Sequence, residues 1–355
     1  MKVLHVLNSS AFSGAENVAC LIINLLNTVG VESYYCSPTG SIEDALIDRN
    51  IKYVPVKRLT KHALEKVINE VQPDVIHAHD AKASFIASLV ECRARLISHM
   101  HGNCKELSTL SLKSIGYRYA TKKIDRIIWL SNLNYGSYLF HNEVSDKSTV
   151  IPNIVDRDSL TSLAKSTGEQ KRFDLIYLGR ITKVKNPSRF IHIVSLIKER
   201  IPSIRVAMVG DGDLKSRIEK ECKKLGITEN ITFFGFLDNP FPVLRESRTL
   251  VMTSLSEGLP MCALEAMALS VPVFAVPTDG LNDIIQNGYN GYLSDNDREL
   301  ADAIIECITH KEVEAKYQKG TQEFSAIHNN KERYIAELLE VYQSTVCQGV
   351  LHDEH

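Results

Sequence analysis

Short apolar, β-branched runs alternate with amphipathic stretches along nearly all of this 355-residue chain. From the start the runs are VLHVLN (3–8), ESYYCSP (32–38), YVPV (53–56), DVIHAH (74–79), RLISHMH (95–101), RIIWLS (126–131) and STVIPN (148–153). Helical patterns lie between most of them, the first from about Ala15 to Val29. Several runs are apolar at successive positions, as parallel strands covered by helices on both faces must be. The pattern lapses over 156–172, DRDSLTSLAKSTGEQKR, which is polar and without apolar periodicity. It resumes with FDLIYLG (173–179), RVAMVG (205–210), ITFFGF (231–236), TLVMTS (249–254) and VPVFAV (271–276), then closes on helical segments near 297–309, 311–325 and 331–346. The expectation is one α/β architecture used twice: two facing Rossmann-like domains with an interdomain cleft. The domains are 1–155 and 173–328, with a linker at 156–172. A C-terminal helix and tail follow at 329–355, with a return to the N-terminal domain as one open course. In open α/β sheets, ligands sit beyond the carboxyl ends of the strands, which directs attention to that cleft.

Composition narrows this picture without redirecting it. With 44% hydrophobic and 24% charged residues, the chain reads as a soluble globular protein. A formal net charge of -2 lacks the basic footprint of a nucleic-acid binder. The eight cysteines (20, 36, 92, 104, 222, 262, 307 and 347) form no C-x-x-C pair, and several lie in apolar patterns, so reduced buried thiols are expected over disulfides or zinc. The N-terminal apolar run is too short and interrupted for a signal peptide, and no stretch approaches the ~18 apolar residues of a spanning helix. A cytoplasmic protein is expected, with attachment to a membrane face left open.

The loops restrict the nucleotide chemistry. After VLHVLN comes SSAFSGAENV, with the single glycine Gly14 where a dinucleotide fingerprint needs G-x-G-x-x-G, and no G-x-x-x-x-G-K-[ST] loop exists. Hydride transfer is disfavoured. Gly14 still opens a helix, whose N-terminus suits an anion; a glycine that only lets the chain turn is the competing reading. In LGRITKVKNPSRF, Arg180 and then Lys185 precede Asn186-Pro187, a good N-cap and first-turn pair. Two cations beside a helix start can hold a phosphate or diphosphate, against the alternative of a solvated basic loop. GDGD (210–213) admits a metal reading, but a glycine turn with Asp211 or Asp213 capping the next helix explains it better.

SEGLPMCALEAMALS (256–270) poses the sharper question. Pro260 is placed to begin a helix, and Met261 to Leu269 then contains no charge except Glu265. Such a helix is expected to be buried nearly all round, where an unpaired carboxylate is costly and must have partners. A structural salt bridge is one answer. The other is that Glu265 accepts hydrogen bonds from the vicinal hydroxyls of a ribose or sugar, with Glu257 in the preceding turn near a phosphate or sugar.

The E-G-x-P-x4-E-A-M-A block, with Glu257 and Glu265 spaced E-x7-E, resembles the signature of the retaining glycosyltransferases of family 4, which have the GT-B fold. GRITKVKNPSRFI is similar to that family's G-R-x4-K-N/G segment, VGDGDLKSRIEK to its G-D-G turn, and ITFFGF to its strand before the base loop. VIPNIVD (150–156) is similar to the P-N-G-V-D at the interdomain linker, and TDGLNDIIQNGYNGYL follows where the family has a comparable loop. The resemblance spans residues 1 to about 345. It implies that Glu265 holds the ribose hydroxyls and that Arg180 and Lys185 neutralise the leaving diphosphate. Glu257, with Gly258, Leu259, Pro260 and Met261, would contact the donor sugar or its phosphate. Gly14 would approach the diphosphate from the N-terminal, acceptor-side domain. His101, in SHMHGN, matches the family's His-Gly and would sit by donor sugar and acceptor; His77 and His79 fit weaker acceptor-side roles, with structural duty the stronger reading. His101, Arg180, Lys185 and Glu257 are thus the implied catalytic set. Three positions depart from the family: Asn186 stands for the commoner glycine, Ser270 for a usual glycine and Ile154 for the linker glycine.

The resemblance further implies retention of anomeric configuration without a divalent metal and without a cofactor, the sugar nucleotide being a substrate. A UDP-sugar is the expected donor. A glycan or lipid-linked saccharide is the expected acceptor, in synthesis of a cell-surface polysaccharide or glycoconjugate. Lys105, Lys113, Arg118, Lys122, Lys123 and Arg126, interleaved with Leu112, Ile115 and Tyr119, describe a basic helix with an apolar side suited to the cytoplasmic face of a membrane; an ordinary solvated helix face competes with this. A non-catalytic binding subunit and a GT-B sugar-nucleotide epimerase are the alternatives, and the intact charged residues and the E-x7-E block argue against each.

Overall fold

The structure is a computed structural model that describes residues 1–12, 14–101, 104–165 and 173–344, the side chains of Cys104 and Lys105 excepted. Ser13, Gly102 of the His-Gly match, residues 166–172 of the 156–172 stretch, Cys347 and the tail beyond 344 lie outside the described residues, as does the Lys105 side chain. The chain divides into two compact units, one formed by Met1–Asn153 with the chain from Lys331 onward, the other by Ile154–Asn330.

In the first unit, seven strands form one sheet: β1 (Lys2–Val6), β2 (Glu32–Pro38), β3 (Tyr53–Val56), β4 (Val75–Ala78), β5 (Arg95–Met100), β6 (Arg126–Trp129) and β7 (Ser148–Val150). Their order is β3-β2-β1-β4-β5-β6-β7, and every pairing is parallel. One face of the sheet packs Leu4, Val6, Ile76, Ala78, Leu96 and Met100 into the main core. Tyr342, on the helix Lys331–Gln343, returns to this unit and is fully buried.

The second unit repeats the plan with β8 (Phe173–Leu178), β9 (Val206–Val209), β10 (Ile231–Gly235), β11 (Ser247–Met252), β12 (Val273–Ala275) and β13 (Gly291–Leu293), in the order β10-β9-β8-β11-β12-β13, all parallel. The helix Pro187–Arg200 lays Phe190, Ile191, Val194 and Ile197 onto β8 and β9 side chains. In each sheet the order reverses beside the first strand of the unit, at β1/β4 and β8/β11. Loops there diverge, and open α/β sheets bind ligands at such points.

Several local expectations are corrected. The polar 156–172 stretch contains a helix, Arg157–Leu163, started by the Asp156 carboxylate accepting from the Asp158 and Ser159 N–H groups. The strand β13 lies within what reads as a loop. Asn186 makes no side-chain cap, and neither Asp211 nor Asp213 caps the helix Lys215–Lys224, whose N-cap position is Leu214. Pro260 is the N-cap position, and its helix runs Met261–Ala268. The described cysteines 20, 36, 92, 222, 262 and 307 are free thiols. No described helix is long and apolar enough to cross a membrane.

Candidate active site

In the second unit the predicted residues converge on the carboxyl ends of β8 and β11. Leaving β8, the chain passes Gly179 and Arg180, whose carbonyl accepts from the Tyr177 hydroxyl at 2.8 Å. Arg180 is exposed, and its guanidinium makes no hydrogen bond or ion pair with a described residue. The next turn presses against GDGD: a Cβ on Gly210 would lie 2.0 Å from the Gly179 carbonyl oxygen. That close approach accounts for the glycine. Asp211 accepts from the Gly212 N–H at 2.7 Å, and no group of three ligating side chains forms there among the described residues.

The Lys183–Lys185 turn is stitched to the loop after β11. The Leu255 N–H donates to the Val184 carbonyl at 2.8 Å, and the Thr253 hydroxyl donates to the carbonyls of Asn186 (2.9 Å) and Lys185 (3.2 Å). Asn186 makes this path possible with a left-handed backbone, φ 48°. Asparagine tolerates that region better than most residues, which explains why a glycine is the commoner occupant. Ser270 also sits at positive φ, 63°, at the end of the Glu265 helix. Two of the three departures from the family pattern therefore fall where the backbone favours glycine.

These stitches bring Lys185 Nζ to 2.6 Å from Glu257 Oε1, with side chains 22% and 10% exposed. Burial pushes the Lys185 pKa down, while Cys262 and Glu257 push it up, and the net direction is upward. Lys185 is therefore an ammonium at neutral pH. The Cys262 thiol itself is pushed up to about 12 by burial and is protonated there. Behind Glu257, the turn is locked by Gly280: a Cβ at that position would fall 1.3 Å from the Gly258 carbonyl oxygen. Leu259 and Pro260 are buried beneath the turn, and Met261 is half-buried.

The helix Met261–Ala268 is not buried all round. Ala263, Leu264, Ala266 and Met267 face the core, whereas Met261, Cys262 and Glu265 form a half-buried stripe at one helical spacing. Glu265 has no hydrogen-bond or ion-pair partner among the described residues, so of the two expected answers the structural salt bridge is not the one formed. Its desolvated surroundings raise its pKa to about 7. The unit thus presents one satisfied ion pair, one free guanidinium and one unpaired carboxyl beside a helix start.

Gly14 and His101 belong to the first unit. Gly14 is the first residue of the helix Gly14–Thr28, and no atom lies within 4 Å of where its Cβ would be, so packing within the chain does not require a glycine there. His101 follows β5, with Nε2 at 2.7 Å from His79 Nδ1 and a buried Nδ1 that has no partner among the described residues. Burial lowers its pKa to about 3, leaving a neutral imidazole. His77 and His79 are fully buried beside it. Sequence reasoning missed His5 and His99, which complete a row of five imidazoles on one sheet face. Their signal was available: histidines two apart on one strand and level with histidines on its neighbours. It also missed Thr253 and Gly280, whose contributions come only through contacts between loops.

Two family models divide the chain: residues 12–159 match Glycosyltransferase Family 4 and residues 160–324 match Glycosyl transferases group 1. This chain is a family 4 glycosyltransferase. The glycosyltransferase is 25% identical over 322 residues to an uncharacterized glycosyltransferase of Methanocaldococcus jannaschii, covering 76% of this chain and 79% of that one. It is 24% identical over 326 residues to the UDP-Gal:alpha-D-GlcNAc-diphosphoundecaprenol alpha-1,3-galactosyltransferase of Escherichia coli, covering 82% and 84%. Among solved structures, Anabaena HepE in complex with UDP and glucose superposes with a TM-score of 0.83 at 19% identity, over 97% of this chain and 100% of that chain. The glycosyltransferase accordingly has the GT-B fold, with two Rossmann-like domains.

Proposed function

We propose that this glycosyltransferase moves a sugar from a UDP-sugar to a lipid-linked or glycan acceptor with retention of anomeric configuration and without a divalent metal. The observation that carries the donor reading is Glu265: an unpaired, half-buried carboxyl on an otherwise apolar helix, close to neutrality in pKa. A group so costly to leave unpartnered is accounted for by a ligand that donates to it, and a ribose diol offers two O–H donors. Arg180 and Lys185 stabilise the negative charge that builds on the departing diphosphate, the largest contribution such a site makes to the barrier. Glu257 holds the Lys185 ammonium in place and, with Gly258, Leu259, Pro260 and Met261, faces the donor sugar. Gly14 lets the diphosphate approach the first helix, and the neutral His101 imidazole hydrogen-bonds a sugar or acceptor hydroxyl. The departing phosphate oxygen takes the acceptor's proton. The names of the relatives support this reading: UDP and glucose occur in the Anabaena complex, and the Escherichia coli enzyme is named for UDP-Gal and a diphosphoundecaprenol-linked acceptor.

Calorimetric titration of UDP, GDP and ADP, without metal, into the wild type and Glu265→Ala tests the donor site. Micromolar binding of UDP, weakened at least 100-fold in the variant, is expected; equal binding by the variant makes Glu265 structural. The 100-fold figure follows from roughly 1.5–3 kcal/mol per hydrogen bond to a charged group.

The acceptor side of the proposal includes contact with an anionic membrane face. On the helix Leu112–Thr121, Leu112 (91% exposed), Ile115 and Tyr119 form an outward stripe, with Leu110 just before it. Of the basic residues near it, Lys113 pairs with Glu106 and Arg118 with Glu143, while Arg126 donates to Ser344 Oγ and the Asp146 carbonyl. Lys122 and Lys123 are exposed and carry the attraction. Pelleting with anionic liposomes, lost in Lys122→Glu/Lys123→Glu, is expected; absence of binding by the wild type ends the membrane reading.

A further inference from the structure

The five stacked imidazoles of the first unit, four buried and His101 half-buried, are more than the sugar chemistry uses. His5 on β1 is level with His77 on β4, and the β4–β5 register carries the row onward to His99 and His101. All five project to the face opposite the main core, with ring centroids 4.1 Å apart for His77 and His79, 5.1 Å for His5 and His77 and 5.2 Å for His5 and His79. Two hydrogen-bonded chains run through them: His5 Nδ1 to His79 Nε2 (2.9 Å) and His79 Nδ1 to His101 Nε2 (2.7 Å), and the Tyr342 hydroxyl to His77 Nδ1 (2.7 Å) and His77 Nε2 to His99 Nδ1 (3.2 Å). A chain of imidazoles bonded to one another ends on a nitrogen with nothing to bond. Among the described residues three buried nitrogens are left so: His5 Nε2, His99 Nε2 and His101 Nδ1. The nitrogens on which the rings converge are others, His5 Nδ1 and His79 Nε2 among them.

We propose that this stack is a transition-metal site in which His5, His77 and His79 hold one ion of the zinc type. One ring nitrogen from each lies within 4.8 Å of the other two. A second set, His79, His99 and His101, meets the same limit and shares His79, so the two sets compete for one ion. The first set is favoured because all three members are fully buried and His77 is oriented by the Tyr342 phenol, the kind of outer contact that fixes a ligating imidazole; His77 then ligates through Nε2 and gives up its 3.2 Å contact with His99 Nδ1. Binding there moves the proton between His5 Nδ1 and His79 Nε2 to His5 Nε2 and widens that gap from 2.9 Å to roughly 3.4 Å, the chord of a tetrahedral zinc site. Imidazole donors suit zinc, nickel and copper, not magnesium or calcium. Burial keeps these rings neutral, which is the form that binds a metal. The site is independent of the donor reading, which leaves the diphosphate to Arg180 and Lys185.

The test uses the tag-free full chain, dialysed against chelator and titrated with cobalt(II) alone, read by its ligand-field absorption. One tightly bound cobalt with the intense spectrum of a tetrahedral site, three imidazole nitrogens and a water, is expected. His5→Gln should weaken binding by more than the roughly 10- to 100-fold that an outer partner is worth, and Tyr342→Phe by about that amount. His99→Gln should leave it unchanged. No uptake by the wild type, uptake unaltered in His5→Gln, or a loss confined to His99→Gln overturns the assignment. If His5→Gln does not fold, X-ray absorption on the zinc-loaded wild type decides: a shell of imidazole nitrogens supports the site, and a shell of oxygen or sulfur refutes it.

Discussion

The two units share one strand plan around their switch points, β3-β2-β1-β4-β5-β6 and β10-β9-β8-β11-β12-β13, yet carry opposite chemistry there. Near the switch point of the first unit stand five neutral imidazoles, bonded to one another and to Tyr342. At the switch point of the second stand Arg180, the Lys185–Glu257 pair and the lone Glu265. The architecture supplies loops at the carboxyl ends of strands; the side chains decide whether that edge carries charge. They also give the two units opposite responses to acid.

That contrast is most exposed by pH. Each buried histidine of the first unit has a folded pKa below its unfolded value, to about 3 for His5 and His101 and well below the ordinary range for the others. Its stabilising contribution is full above about pH 6.5 and is lost as pH falls toward those values. All five act in the same direction. The first unit should therefore unfold first on acidification. Trp129, the sole tryptophan and fully buried on β6, reports that unit alone. Its fluorescence should change before half the helical circular dichroism is lost; coincident transitions would break the comparison.

Charge removal at the second edge should act on turnover. Arg180→Ala and Lys185→Ala are each expected to lower kcat/KM by roughly 100- to 1000-fold, the usual loss when a preorganised group facing developing charge is removed. Lys185→Ala should be the worse, because it also leaves Glu257 without its partner. Steady-state kinetics with the sugar nucleotide selected by calorimetry provides the check.

Glu265 shows the opposite pH sign from the histidines. Its folded pKa is raised from 4.5 to about 7, so the stability it allows is full below about pH 4.5 and is lost as pH rises through 7. Glu265→Gln should stabilise the ligand-free protein by about 3 kcal/mol at pH 8 and by nothing at pH 4, measured by denaturant unfolding. The same substitution should weaken UDP binding. A variant that gains stability and loses ligand would identify a residue kept for function at a cost to the fold. The smallest effect is expected at Ser270→Gly, which relieves a left-handed serine and should raise the second unit's stability by about 1 kcal/mol, with no dependence on pH.

Legibility followed the range of the interactions involved. Strands such as Val75–Ala78 and Val206–Val209 were readable because burial on both faces leaves apolar residues in succession. Gly291–Leu293 was not, being three residues long and made a strand by pairing with β12. The helix at Arg157–Leu163 was hidden by its polarity, although Asp156 ahead of Ser159 is a capping signal. At Asn186 the residue type suggested a cap, but the loop used its tolerance of positive φ instead.

The charged residues of the candidate site were visible individually for the same reason: a lone glutamate in an apolar helix, and two cations beside a helix start, are anomalies of local pattern. What pairs with what was decided by tertiary structure. Lys185 and Glu257 meet because the loops after β8 and β11 are stitched by Thr253 and Leu255, across 72 positions of sequence. Glu265 stays unpaired because no cation is delivered to its stripe. The five histidines become one stack only when β1, β4 and β5 are laid side by side. Local composition and period set the elements and the chemically unusual residues, since both depend on near neighbours. Strand order and loop contacts set charge state and partnership, since desolvation and ion pairing depend on what the folded chain places within a few ångströms.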